Sequence, residues 1–170
     1  MAVQNDPDLE SLFREELTER AASLAEGAAA IIDGTVTPEL AGRMVREGHT
    51  IKGTGRVMGH EVIARGGETC EVIWRWIQQG DFQASGMVGR VLAILANSLV
   101  EALSGSLDDV NGSIASLRTL ISEPDRRAEL PEPLEDPTPP DPQPDPLAEV
   151  VELSPTTGEP AQPEQSPEVV

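Results

Sequence analysis

Apolar positions in the first 123 residues recur at spacings of three and four, in blocks separated by turn residues. Leu9, Leu12, Phe13, Leu17, Ala21, Leu24, Ala28 and Ile31 form the first block and predict an amphipathic helix of about six turns. Asp6-Pro7 is its start signal, with Asp6 as N-cap and Pro7 at the first helical position, and Asp33-Gly34 stops it. Thr37-Pro38-Glu39 repeats the start signal, and Leu40, Met44, Ile51 and Met58 continue the pattern. A third block, His60 to Gln79, carries Ile63, Cys70, Ile73, Trp74 and Ile77 along one stripe before Gly80-Asp81 breaks it. The fourth, roughly Ala84 to Leu103, offers Val88, Val91, Leu92, Leu95 and Leu99. A shorter fifth follows Ser104-Gly105 with Leu107, Val110, Ile114, Leu117 and Ile121. No alternating run of β-branched and aromatic residues is present, as a sheet would need. The pattern predicts an all-α, antiparallel up-down helical bundle over 6–122, four main helices plus a shorter fifth.

From Glu123 onward the periodicity disappears. Thirteen of the 15 prolines lie between Pro124 and Pro167, and such a stretch cannot bury enough apolar surface to offset chain entropy. Residues 123–170 therefore read as a proline-rich, acidic, disordered tail. Its one apolar island, Leu147 to Leu153, is a candidate docking peptide. The formal net charge is −18. With 12 acids against Arg126 and Arg127 after residue 123, that tail carries −10 and the rest −8. An acidic chain repels a phosphate backbone, so nucleic acid is not an expected partner. The N-terminus has no basic segment leading into an apolar one, and there is no uninterrupted apolar run of 18 or more residues. The expectation is a soluble, cytoplasmic monomer without membrane association.

The candidate chemistry lies in Gly48-His49-Thr50-Ile51-Lys52-Gly53-Thr54-Gly55-Arg56-Val57-Met58-Gly59. On a helix, Met44, Ile51 and Met58 fall within about 40° of Leu40 and define the buried face. His49 then lies about 180° away, on an outer stripe with Val45, Lys52 and Arg56. Lys52 is the chain's only lysine, three residues after His49, where side chains on a helix meet. Gly53 occupies the other neighbouring position, and each mid-helix glycine costs up to about 1 kcal/mol relative to alanine. Beside an exposed imidazole, a missing side chain leaves room for a partner's surface. An imidazole is largely neutral near pH 7, with a lone pair on one nitrogen that can attack a phosphoryl group. A nearby ammonium offsets the charge gained, and a carboxylate on the other ring nitrogen fixes the tautomer. Glu68 and Glu71, on the following segment, are the candidates for that carboxylate.

His49-Thr50-Ile51-Lys52-Gly53, followed by small residues and Met58-Gly59, resembles the signature of histidine-containing phosphotransfer (HPt) domains. It is most similar to the phosphotransfer domain of chemotaxis-type histidine kinases. The resemblance covers roughly residues 6–122. It implies that His49 is the phosphoacceptor, Lys52 the phosphate-stabilising neighbour and Gly53 the small residue that permits docking. By the family's spacing it selects Glu71 as the residue that orients the imidazole. That branch often has a second histidine three residues earlier, where this chain has Glu68. The implied function is a non-catalytic phosphocarrier that takes a phosphoryl group from a histidine kinase and passes it to the aspartate of a response-regulator receiver domain. Val45, Gly53 and Arg56 would lie in the docking face. No cofactor is expected on this chain; Mg²⁺ and ATP belong to the partner proteins.

The remaining residues carry blander expectations. His60 caps or begins the third helix, and no set of three or four ligands points to a metal. Cys70 and Trp74 fall on the core stripe, whereas Trp76 falls off it and is expected to be partly exposed. The alternative function is a helical module that binds a receiver or kinase as inhibitor or adaptor without carrying phosphate. A further possibility is that the chain is the N-terminal piece of a larger kinase.

Overall fold

The computed structural model describes residues 7–134. Asp6 and the island Leu147–Leu153 lie outside the described residues. Helix α1 spans Pro7–Asp33, α2 Pro38–Val57, α3 Glu61–Gln79 and α4 Gly86–Glu101. A 3₁₀ turn at Ala102–Ser104 leads to α5, Asp108–Leu120, and α6, Pro124–Glu129. No strand occurs among the described residues. The all-α bundle is as the periodicity predicts, with a sixth short helix added.

Local chemistry sets the ends. Thr37 Oγ1 accepts the Leu40 N–H at 3.2 Å, with Pro38 opening α2. Ser85 Oγ accepts the Val88 N–H at the start of α4. Gly80 closes α3 in the left-handed region at φ 75°, where a side chain would be strained. His60 stands ahead of α3 but makes no side-chain capping bond. It is the N-cap residue of α3, as expected, through its backbone carbonyl, which accepts the Ala64 N–H, while its ring stacks on Phe13 with centroids 5.4 Å apart.

The helices pack antiparallel. Gly42, Gly48 and Gly55 of α2 meet Gln78, Glu71 and Ala64 of α3 in turn, so numbers rise along one helix as they fall along the other. Likewise Gly27 faces Met44, and Phe13 faces His60. Helix α1 packs on α2 and α4, while α3 packs on α2, α4 and α5. Helix α3 is therefore the central element, buried through Ile63, Cys70, Ile73 and Trp74. Burial pushes the Cys70 thiol up to about 12, so it is a packed, protonated side chain rather than a nucleophile.

Three expectations are corrected. Leu9 and Leu12 are exposed rather than part of the core, because they line an open groove between the first turns of α1 and the end of α2. Trp76 is buried rather than partly exposed: its Nε1 donates to Glu129 Oε2 at 3.0 Å, and Arg126 lies over its ring. The covering segment is part of the expected tail. Packed structure continues past residue 122 to residue 134, where Leu130 is buried, and Arg118 donates to the carbonyls of Arg127, Leu130 and Pro131. Asn111 closes the segment by exchanging two hydrogen bonds with the Leu134 backbone.

Helix α4 with its 3₁₀ extension, Gly86–Ser104, is long and apolar enough to cross a membrane by length and composition alone. It carries Arg90 and Glu101, and Leu92, Leu95, Ala96 and Leu99 are buried in the bundle.

Candidate functional site

The site forms where α2 and α3 come closest. A Cβ on Gly48 would stand 2.6 Å from the Glu71 backbone nitrogen, and one on Gly67 would stand 2.6 Å from that of Lys52. Real side-chain carbons do not approach this near, so only glycine allows the two backbones to touch. This contact lets the Glu71 side chain, rooted in the central helix, span to the outer surface of α2.

His49 is on that surface, its side chain 69 % exposed. Its Nδ1 lies 3.2 Å from Glu71 Oε1, while the Glu71 side chain itself is only 6 % exposed. The Lys52 ammonium lies 2.7 Å from Glu71 Oε2 as an ion pair, without the alignment of a hydrogen bond. Arg75, one turn further along α3, donates to Glu71 Oε1. Burial alone would raise the Glu71 carboxyl, but contact with Lys52, His49 and Arg75 outweighs it and holds the group below its usual range. Glu71 is therefore ionised at neutral pH. An ionised carboxylate only accepts, so the bond to His49 requires the proton on Nδ1. In the neutral ring the lone pair is then on Nε2.

The charges continue as a ladder between the helices. Lys52 also lies 3.7 Å from Glu68 Oε1, and Arg56 donates to Glu68 Oε2 at 3.2 Å. Of the residues expected on the outer stripe, Arg56 and Gly53 are exposed there, and a Cβ on Gly53 would meet nothing within 4 Å. Lys52 is displaced from it: the side chain is 19 % exposed and turns into the α2–α3 groove. Val45 is half-buried and packs against the core. The structure brings His49, Lys52 and Glu71 into one cluster with Gly53 and Arg56 beside it on α2, while Lys52 and Val45 are less exposed than the outer stripe implies.

Two features escaped the sequence reading. Arg75 was not singled out, although its spacing four residues after Glu71 is an ion-pair signal on any helix. Beside His49 there is also an open apolar groove lined by Leu9, Leu12, Phe13, Val57 and Met58. Leu12 is 62 % exposed and Val57 77 %. Among the described residues no group of three or more His, Cys, Asp or Glu side chains is placed to hold a metal ion. Comparison with protein-family models, curated proteins and solved structures finds no match.

Proposed function

We propose that this protein is a histidine phosphotransfer protein of a two-component phosphorelay, with His49 as the phosphoryl acceptor. One observation carries the reading: an exposed imidazole whose Nδ1 is held by a buried, ionised carboxylate, leaving Nε2 as its lone-pair nitrogen. In the proposed step Nε2 attacks the phosphorus of a donor on a histidine kinase. The new N–P bond forms as the bond to the donor's leaving group breaks. A receiver-domain aspartate then attacks the same phosphorus, and the Nε2–P bond breaks with its electron pair returning to the ring. The proton stays on Nδ1, facing Glu71, throughout, so the carboxylate orients the ring and stabilises positive charge on it.

Phosphorylation brings roughly two negative charges to the surface. Lys52 lies three residues after His49 on α2 and Arg56 one turn beyond it, and both are engaged with carboxylates before transfer, while exposed Arg46 lies three residues before His49. Lys52 stabilises the phosphoryl group by exchanging part of its pairing with Glu71 or Glu68 for the new oxygens. Exposed Gly53 keeps the approach to the ring open, and the apolar groove beside it suits a partner with an apolar rim. ATP and Mg²⁺ act on the partner proteins.

The groove also favours a second reading, a helical module that binds a kinase or receiver without carrying phosphate. The two are separated by incubating the protein with autophosphorylated histidine kinases and measuring intact mass. The carrier gains one acid-labile phosphoryl group, lost in His49→Gln; the binding module gains none.

A further inference from the structure

We propose that Arg75 is a positioning residue for His49: its guanidinium holds one oxygen of Glu71 in line with the imidazole and so decides which ring nitrogen is free. The inference rests on the reading of His49 as acceptor and deepens it.

The Glu71 carboxylate is gripped from two sides, one cation to each oxygen. Lys52, from α2, is on Oε2, and Arg75, from α3 itself, is on Oε1, the oxygen that also faces His49 Nδ1. A carboxylate with a single cation turns toward it. With a cation at each end its plane is fixed, and Oε1 stays where the imidazole N–H can reach it. The pairing is local and well oriented, because the acid precedes the base by four residues on one helix. Among the described residues no other cation lies on Oε1, since Arg56 is paired with Glu68 and Lys52 bridges Glu68 and Oε2. Removing Arg75 leaves Lys52 unopposed, and the carboxylate turns toward Oε2 and away from the ring. The His49 side chain, 69 % exposed, then has only water to choose its tautomer.

The test uses the full chain with ¹⁵N-labelled histidine at about pH 8, where an ordinary imidazole is neutral. The tautomer of His49 is read from its ring-nitrogen shifts in wild type, Arg75→Ala, Arg75→Gln and Arg75→Lys. The fold is checked by circular dichroism; Arg75 is 43 % exposed on its helix, and alanine is the best helix former. The Nδ1–H to Nε2–H ratio is expected to fall about three- to tenfold in the alanine and glutamine variants, the scale of one net hydrogen bond. Lysine restores it to within about twofold, because a cation returns to Oε1. An unchanged ratio in folded Arg75→Ala or Arg75→Gln overturns the proposal, as does a folded Arg75→Lys that fails to restore it. The readout needs no phosphoryl donor. A wild type that never accepts phosphate therefore removes the phosphocarrier reading while the tautomer ratio still decides the role of Arg75. Where wild type does accept, Arg75→Ala slows acceptance in proportion to the fall in the fraction of the Nδ1–H tautomer.

Discussion

Two glycines five residues apart on α2 should respond to alanine with opposite signs. At Gly48 the new Cβ would stand 2.6 Å from the Glu71 nitrogen and 2.8 Å from the Gly67 carbonyl oxygen, both backbone atoms of a packed helix. Reaching an ordinary contact of 3.4 Å requires α2 and α3 to separate by roughly 0.8 Å, along the seam that holds the His49–Glu71 bond. Overpacking of this kind costs about 1–3 kcal/mol, and the gain in helix propensity recovers about 1 kcal/mol at most. With backbone on both sides, Gly48→Ala should lose about 2 kcal/mol net. At Gly53 nothing lies within 4 Å, so alanine gains the propensity term alone, about 1 kcal/mol. For a domain of this size those changes correspond to a Tm lower by about 6–10 °C and higher by about 3–5 °C. Thermal unfolding followed at 222 nm measures both, and the His49 ring-nitrogen shifts report whether the Glu71 bond survives. A Gly48→Ala variant as stable as wild type, with those shifts unchanged, would refute the claim that glycine brings the two helices into contact. By the same geometry Gly53→Ala, though more stable, narrows the approach to the ring and should slow transfer to and from partners.

Glu71→Gln should cost about 3 kcal/mol at neutral pH, because it leaves the half-buried Lys52 with only Glu68. The Glu71 carboxyl is held down in the folded state, so its contribution is complete above the ordinary carboxyl range near 4.3. The difference between wild type and Glu71→Gln in urea unfolding should be flat above about pH 5 and shrink as pH falls below about 4. A difference that grows on acidification contradicts the assignment of Glu71 as ionised. Leu130→Ala removes a fully buried side chain from the segment after α5 and should cost about 2–4 kcal/mol in chemical unfolding. Ending the chain at residue 122 removes Glu129 and Arg126 from Trp76 and should shift tryptophan emission to the red; unchanged emission and stability would show that the segment does not pack there.

The bundle was legible because its signal is local. Leu40, Met44 and Ile51 share a face on any helix, and that face fixes His49 opposite before any neighbour is known. What a helical wheel lacks is the adjacent helix. Lys52 falls on the outer stripe by angle, yet its long side chain crosses to Glu71, a choice made by an acid 19 positions away. Val45 differs for the same reason, since the core extends to its side of α2. Trp76 read as partly exposed because its cover, Pro124 to Leu134, has the composition of a linker. There a single buried Leu130 and the carbonyl-binding Arg118 outweigh what proline content implies. Gly67 gave no hint of its role, because close approach is a property of two helices at once.

The central claim is that His49 carries a phosphoryl group on Nε2. Intact-mass analysis of wild type and His49→Gln, after incubation with a panel of autophosphorylated histidine kinases, tests it most directly. The account predicts one acid-labile phosphoryl adduct on wild type, none on the folded variant, and loss of the adduct when a receiver domain with Mg²⁺ is added. An adduct of equal yield on His49→Gln, or none on wild type with any kinase that binds it, would contradict it.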